Sequence, residues 1–100
     1  MDVNVSNTSG RAVIRLRGRF DFNAHREFRE AVEQSVKDAA RLILVDLGGV
    51  DYIDSSALGM LLMLRDKAKG AGKEVQLGNA RGSVKQVIDI ANFGKLFPLV

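Results

Sequence analysis

The sequence predicts an α/β domain with a mixed, mostly parallel β-sheet and helices in the order β-β-α-β-α-β-α plus a short C-terminal segment. Three observations carry this. Two short apolar-alternating segments near the N-terminus are separated by turn residues, the mark of a hairpin. After them, stretches with helical spacing alternate with short apolar runs, as in a parallel sheet built from crossovers. The chain has 100 residues, 46% of them hydrophobic and only one proline. That is enough for one core and too little for two, so residues 1–100 form a single domain.

Residues 2–6 (DVNVS) alternate apolar and polar as a strand does, and residues 7–10 are turn chemistry. Residues 12–17 (AVIRLR) supply the second strand, and 18–21 (GRFD) leave the sheet. Asn23 is placed to cap a helix over 24–39, in which Ala24, Phe28, Ala31, Val32, Val36 and Ala39 recur at helical spacing. Residues 42–47 (LILVDL) are nearly all apolar, the pattern of a central strand covered on both faces. A second helix runs over 56–69 and stops at Gly70-Ala71-Gly72, where glycine suits a left-handed cap. Residues 74–78 (EVQLG) form a strand. Ser83 and Gln86 have capping-box spacing and open a third helix carrying Val84, Val87, Ile88 and Ala91. Asn92-Phe93-Gly94 ends it, and Leu96-Phe97 adds a last apolar segment.

Charge and composition exclude several functions. Fifteen basic residues against twelve acidic ones give a net charge of +3, and most cations have acidic neighbours. The densest basic stretch, Arg65, Lys67, Lys69 and Lys73, is interrupted by Asp66 and suits the solvated end of a helix. A nucleic-acid partner is not expected from it. With no cysteine, disulfides, thiolate metal sites and thiol catalysis are excluded. The polar N-terminus is unlike a signal peptide, and no apolar run approaches the roughly 20 residues of a spanning helix. A cytoplasmic protein without membrane contact is expected. Asp46, Asp51 and Asp54 have no ligand-like spacing, so no metal or cofactor is expected. Ser55 has no convincing base, because the only histidine, His25, reads as a surface residue. No Walker lysine or G-x-G-x-x-G motif occurs, and residues 78–82 are too loose for a phosphate loop. No catalytic residue is assigned, and the chain reads as a binding protein rather than an enzyme.

The informative stretch is 48–59 (GGVDYIDSSALG). In open α/β sheets, sites lie beyond the carboxyl ends of the strands, where loops 21–23, 48–56 and 79–82 would meet. Asp54-Ser55-Ser56 precedes an apolar helix and has the composition of an N-cap. At 100° per residue Ala57, Leu61, Leu64 and Ala68 share one face with Met60 at its edge. Leu58, Leu62 and Met63 fall elsewhere, against a neighbouring element or as a patch for a partner. Gly59 weakens the first turn by about 1 kcal/mol relative to alanine, which suggests something approaching the backbone there. Ser55 points into the sector of Leu58, Gly59 and Leu62. A phosphate on it would bring about −1.5 to −2 charges, tolerated by the helix N-terminus and repelled by Asp54, Asp51 and Asp21.

These residues carry a family resemblance. Gly18-Arg19-Phe20-Asp21, the strand ending in Asp46-Leu47, and Val50-Asp51-Tyr52-Ile53-Asp54-Ser55-Ser56-Ala57-Leu58-Gly59 resemble, over essentially the whole chain, the STAS domain of bacterial anti-sigma factor antagonists. The resemblance implies that Ser55 is phosphorylated by a partner that is both anti-sigma factor and serine kinase. It implies that the unmodified form binds this partner and that a PP2C-type phosphatase restores it. Ser56 is then the neighbouring hydroxyl, and Asp21 matches the acidic residue of the family's Gly-Glu-Leu-Asp segment. With Asp54, Leu58, Gly59, Leu62 and Met63 they make up the expected partner-binding set. Arg19-Phe20 replaces the family's Glu-Leu, and Ala57 replaces the commoner glycine. The alternative is a STAS assembly subunit of a larger complex, a transporter accessory or signalling scaffold, that does not use Ser55 as a switch.

Overall fold

The computed structural model describes residues 1–100. Strands β1 (Asp2–Thr8) and β2 (Arg11–Phe20) form the hairpin. Its turn is only Ser9-Gly10, both at positive φ (53° and 78°), as a type I′ connection requires. A 3₁₀ turn (Phe22–Ala24) leads into α1 (His25–Lys37), followed by β3 (Leu42–Ile53), α2 (Ser55–Gly70), β4 (Glu74–Gly78), α3 (Gly82–Ile90) and a second 3₁₀ turn (Phe93–Lys95). The sheet order is β1-β2-β3-β4, with β1 antiparallel to β2 and the other pairs parallel. The C-terminal tail adds a short parallel rung beyond β4. Leu77 N donates to Pro98 O (3.0 Å) and Val100 N donates to Leu77 O (2.9 Å).

One core holds the domain. Ala12, Ile14 and Leu16 of β2, Ile43, Val45 and Leu47 of β3, and Val75 and Leu77 of β4 point to a single face. There they join the buried residues of all three helices. The alternate residues point the other way. Arg15 and Arg17 are exposed on that second face, and the buried Val13 and Leu44 lie outside the core cluster. The expected double covering of 42–47 is therefore corrected. Leu44 is apolar because the strands' own side chains and the tail shield it. Leu44 Cδ1 and Val100 Cγ2 would stand 3.1 and 3.4 Å from a Cβ at Gly78.

Other boundaries also move. Residues 48–53, expected as a loop, continue β3, because Gly48-Gly49 makes a bulge rather than an end. The β2–β3 register slips there and resumes through Phe20↔Ile53. A side chain at Gly49 would meet Arg17 Cγ at 2.7 Å and Leu16 O at 2.9 Å, so glycine is obligatory for the strands to stay paired. Likewise β2 runs through Gly18, at φ 98°, to Phe20. Asn23 does not cap α1: it lies inside the 3₁₀ turn that Asp21 caps, and Ala39 falls beyond the helix and is exposed. The capping box at Ser83 and Gln86 does not form. Helix α3 starts two residues earlier than that cap would place it, after Arg81, and has no side-chain cap. The C-terminus of α2 is as expected, with Gly72 at φ 73° and Lys73 N donating to Ala68 O at 2.8 Å.

Asp38, after α1, ties three elements together. Its Oδ1 accepts from Ala40 N (2.8 Å) and from Asn7 Nδ2 (2.9 Å) at the end of β1. The backbone bond from Ala40, the Asn7 amide and the charge of Lys73 hold its carboxyl below the ordinary carboxylate range. A carboxyl depressed on folding stabilises the domain above its unfolded pKa of about 3.9 and loses that contribution as pH falls through the folded value. Asp38→Asn is therefore expected to lower the urea midpoint at neutral pH. The gap from wild type should close as pH drops below about 4, which paired urea titrations would read.

Candidate functional site

The site grows from the ends of two parallel strands. Phe20 pairs with Ile53 in register, and Asp54 N donates to Phe20 O (3.4 Å). Each strand is followed at once by an aspartate in extended conformation. Asp21 Oδ1 accepts from Asn23 N (3.0 Å) and starts the 3₁₀ turn, while Asp54 Oδ1 accepts from Ala57 N (2.9 Å) and starts α2. Two acid-capped turns thus open next to each other. Ser55, the first residue of α2, is exposed, and Ser56 is half-buried. The N–H groups of this first turn have no acceptor one turn back, so the helix start leaves donors and a positive partial charge near the Ser55 hydroxyl.

The face arithmetic for α2 holds on its core side: Ala57, Met60, Leu61, Leu64 and Ala68 are all buried. The outer set is smaller than expected. Leu62 is exposed at 37%, whereas Leu58 and Met63 are half-buried and pack against the core. Leu62 is therefore the clean probe of the outer surface, and Met63→Glu would disturb packing as well. Gly59 is exposed, and nothing lies within 4 Å of where its Cβ would stand. No contact within the chain requires glycine there. Gly59→Ala is expected to raise stability by about 0.5–1 kcal/mol, readable as an increase of a few degrees in Tm.

The structure adds Phe22 to the region and gives contacts to Arg19 and Tyr52, which the sequence offers only as members of the segments that carry the resemblance. The turn at 22–24 packs against α2 and leaves Phe22 72% exposed. Tyr52, paired with Arg19 across β2–β3, is 40% exposed. The Arg19 guanidinium lies 4.0 Å from the Tyr52 ring centroid, and its Nε is 3.5 Å from Asp21 Oδ2. Cation–π contact and ion pair together fix the one arginine that replaces the family's glutamate. Tyr52 stands inside the informative stretch, and an aromatic two residues before a capping aspartate was the available signal. Phe22 offered no periodic pattern.

The three expected loops do not converge on one place. Asn79 Nδ2 donates to Asp46 Oδ1 (3.0 Å), which also accepts from Gly48 N (2.9 Å). Loop 79–82 therefore borders a separate cleft with Arg15, Gly48 and Gly49. Asp51 lines a groove with residues 81–84. His25 is exposed at the start of α1. No helix is long and apolar enough to cross a membrane.

Comparison with known proteins matches this geometry. The family model described as "Mlab, STAS domain" matches residues 3–100. A STAS-domain containing protein of Pseudomonas aeruginosa is 46% identical over 86 residues, which cover 86% of this chain and 84% of that protein. The crystal structure of an anti-sigma factor antagonist from Mycobacterium paratuberculosis superposes with a TM-score of 0.81 at 25% identity, covering 98% of this chain and 83% of that one. The Bacillus protein SpoIIAA has the same fold. Its unphosphorylated form gives a TM-score of 0.81 at 21% identity, covering 99% and 88%, and its phosphorylated form gives 0.73 at 20%, covering 99% and 91%. The resemblance first carried by residues 18–21 and 50–59 extends to the whole fold and to solved anti-sigma factor antagonists. The chain belongs to the STAS-domain family.

Proposed function

We propose that this chain is a phosphorylation-switched binding protein. Its unmodified form binds a partner that is both anti-sigma factor and serine kinase. Phosphate on Ser55 releases that partner, and a PP2C-type phosphatase resets the switch. One observation carries the reading: an exposed hydroxyl at the first residue of α2, directly after the capping Asp54 and next to the strand end that Asp21 follows, on a surface whose neighbouring elements expose the apolar side chains Phe22, Tyr52 and Leu62. Neutral, such a surface can be desolvated against a partner, with aromatic and arginine side chains of the kind that dominate interface energetics. Charged, it presents a dianion beside Asp54 and Asp21; like-charge juxtaposition against an acidic partner surface costs several kcal/mol, and an apolar one would have to desolvate the dianion. Ser55 is favoured over Ser56 as acceptor because it is the more exposed of the two. Asp54, Ser56, Leu58, Gly59 and Met63 frame the contact, with Leu62 at its accessible edge. The domain itself performs no chemistry in this reading, and no ester or nucleotide turnover is expected from it.

The test is phosphosite mapping by mass spectrometry on the chain recovered from its native cells, run beside affinity capture with wild type, Ser55→Ala and Ser55→Asp. Phosphate on Ser55 is expected, absent from Ser55→Ala. The same kinase-like partner should be held by wild type and Ser55→Ala and depleted with Ser55→Asp. Equal phosphate on the Ser55→Ala chain refutes the acceptor. A partner held equally by all three forms, with no phosphate on the chain, identifies an assembly subunit instead.

A further inference from the structure

A cleft of about 240 Å³ lies at the end of α2 remote from Ser55, between the last turns of that helix, the start of β4 and the C-terminal segment. Ser55 opens α2 and Lys69 stands in its last turn, so the two lie about 20 Å apart along the axis. Arg65 and Lys69, one turn apart, form one wall, and Val75, Leu96 and Pro98 supply apolar surface. Arg65 Nε donates to Leu96 O (3.1 Å). That bond holds the guanidinium in place and leaves both of its Nη groups without a partner in the chain. Lys73 also borders the cleft, but its Nζ donates to Asp38 O and Ala40 O, and its charge acts on the Asp38 carboxyl. Glu74 is the one carboxylate of the lining. The ion pairs of the domain are Arg15–Asp46, Arg19–Asp21, Arg26–Glu30 and Lys85–Asp89, so none of these four charges is paired. With Lys73 set against Asp38, Arg65 and Lys69 against Glu74 leave one positive charge uncompensated. The carbonyls of residues 67–69, where the helix end would repel an anion, are taken by the N–H groups of Ala71, Gly72 and Lys73.

We propose that this cleft binds a small monocarboxylate with a short apolar chain, at a site independent of Ser55. The free Nη edge of a fixed guanidinium matches the two oxygens of a carboxylate, and Lys69 adds charge beside it. The apolar chain would lie on Val75, Leu96 and Pro98. One uncompensated charge suits a monoanion, while Glu74 repels a phosphate dianion. The volume is below the roughly 300–1,000 Å³ of sites for drug-sized ligands, which leaves too little room for a nucleotide. The same chemistry has two sources, a free short-chain acid and the carboxyl terminus of a peptide.

The test uses the full chain, isotope-labelled, titrated at fixed ionic strength with isocaproate as the free acid and N-acetylleucine as the chain terminus. Saturable shifts are expected at residues 65–75 and 96–98, with Ser55 unchanged. Tighter binding of isocaproate assigns the cleft to a free acid, and tighter binding of N-acetylleucine to a peptide terminus. Isocaproamide, which lacks the charge, and inorganic phosphate should each bind about fivefold more weakly than isocaproate, or worse. Arg65→Lys keeps the charge and loses the fork, and should weaken both acids about fivefold. Lys69→Gln, at an exposed position, should weaken them by a smaller factor, and Glu74→Gln should tighten them and admit phosphate. No saturable shift in the cleft, equal binding of the amide, or unchanged affinity in a folded Arg65→Lys chain would overturn the proposal.

Discussion

Phosphate on Ser55 is expected to lower partner affinity by at least a hundredfold, about 3 kcal/mol, while leaving the fold intact. The two halves of this expectation have different origins. The fold tolerates the group because Ser55 is exposed and opens α2, where the unsatisfied N–H groups and the helix dipole favour negative charge. Thermal unfolding of the phosphorylated chain should therefore stay within a few degrees of the unmodified one. The partner does not tolerate it, because it would have to oppose or desolvate the dianion together with two fixed carboxylates, Asp54 committed to capping Ala57 and Asp21 to capping Asn23. Neither carboxylate can move away without breaking the turn it starts. Arg19, the cation beside them, is already engaged by Asp21 and the Tyr52 ring. Ser55→Asp carries one charge on a shorter arm and should cost about tenfold. Ser55→Ala should bind like wild type. Calorimetric titration of the three forms with the purified partner reads this order, and equal affinity for phosphorylated and unmodified chains would remove the switch.

Where local physics decided the structure, the sequence was legible. Residues 74–78 pair as a strand, Gly72 ends α2 in the left-handed region, and Ala57, Leu61, Leu64 and Ala68 face the core. Where tertiary contacts decided it, the sequence misled. Gly48-Gly49 reads as the end of a strand, yet it is a bulge whose missing side chains let Arg17 and the Leu16 carbonyl lie against β3. Leu42 and Leu44 read as a second buried face because hydrophobicity does not say what covers it; the cover near Leu44 includes the tail, at Val100. Ser83 and Gln86 have the right spacing for a cap and the wrong starting residue. At the site, Asp54 and Ser55 stand out because capping chemistry marks them, whereas Asp21 enters through the family resemblance and its capping role is seen only in the structure. Phe22, and the contact of Arg19 with Tyr52, become visible only when the register sets the end of β2 beside the end of β3.

The same dependence of the site on the register makes Phe28→Ala the most damaging single truncation expected for function. Phe28 is fully buried in α1, with its ring centroid 5.0 Å from that of Phe20. Phe20 in turn accepts from Asp54 N and directly precedes Asp21, so both capping aspartates hang from the residue that Phe28 holds in place. Truncating a buried phenylalanine costs about 3–5 kcal/mol, a large part of the stability of a domain this size. For about 100 residues, that corresponds to a fall in Tm of at least about 12 °C. Phe97→Ala should cost a similar amount, since Phe97 is 1% exposed and packs on Phe93 at 5.5 Å, but it lies in the C-terminal segment, away from both caps. The pair separates stability from site geometry. At a temperature where both variants remain folded by circular dichroism, Phe28→Ala should bind the partner several-fold more weakly than Phe97→Ala. Equal affinity would mean that the packing of Phe20 does not set the position of the two caps.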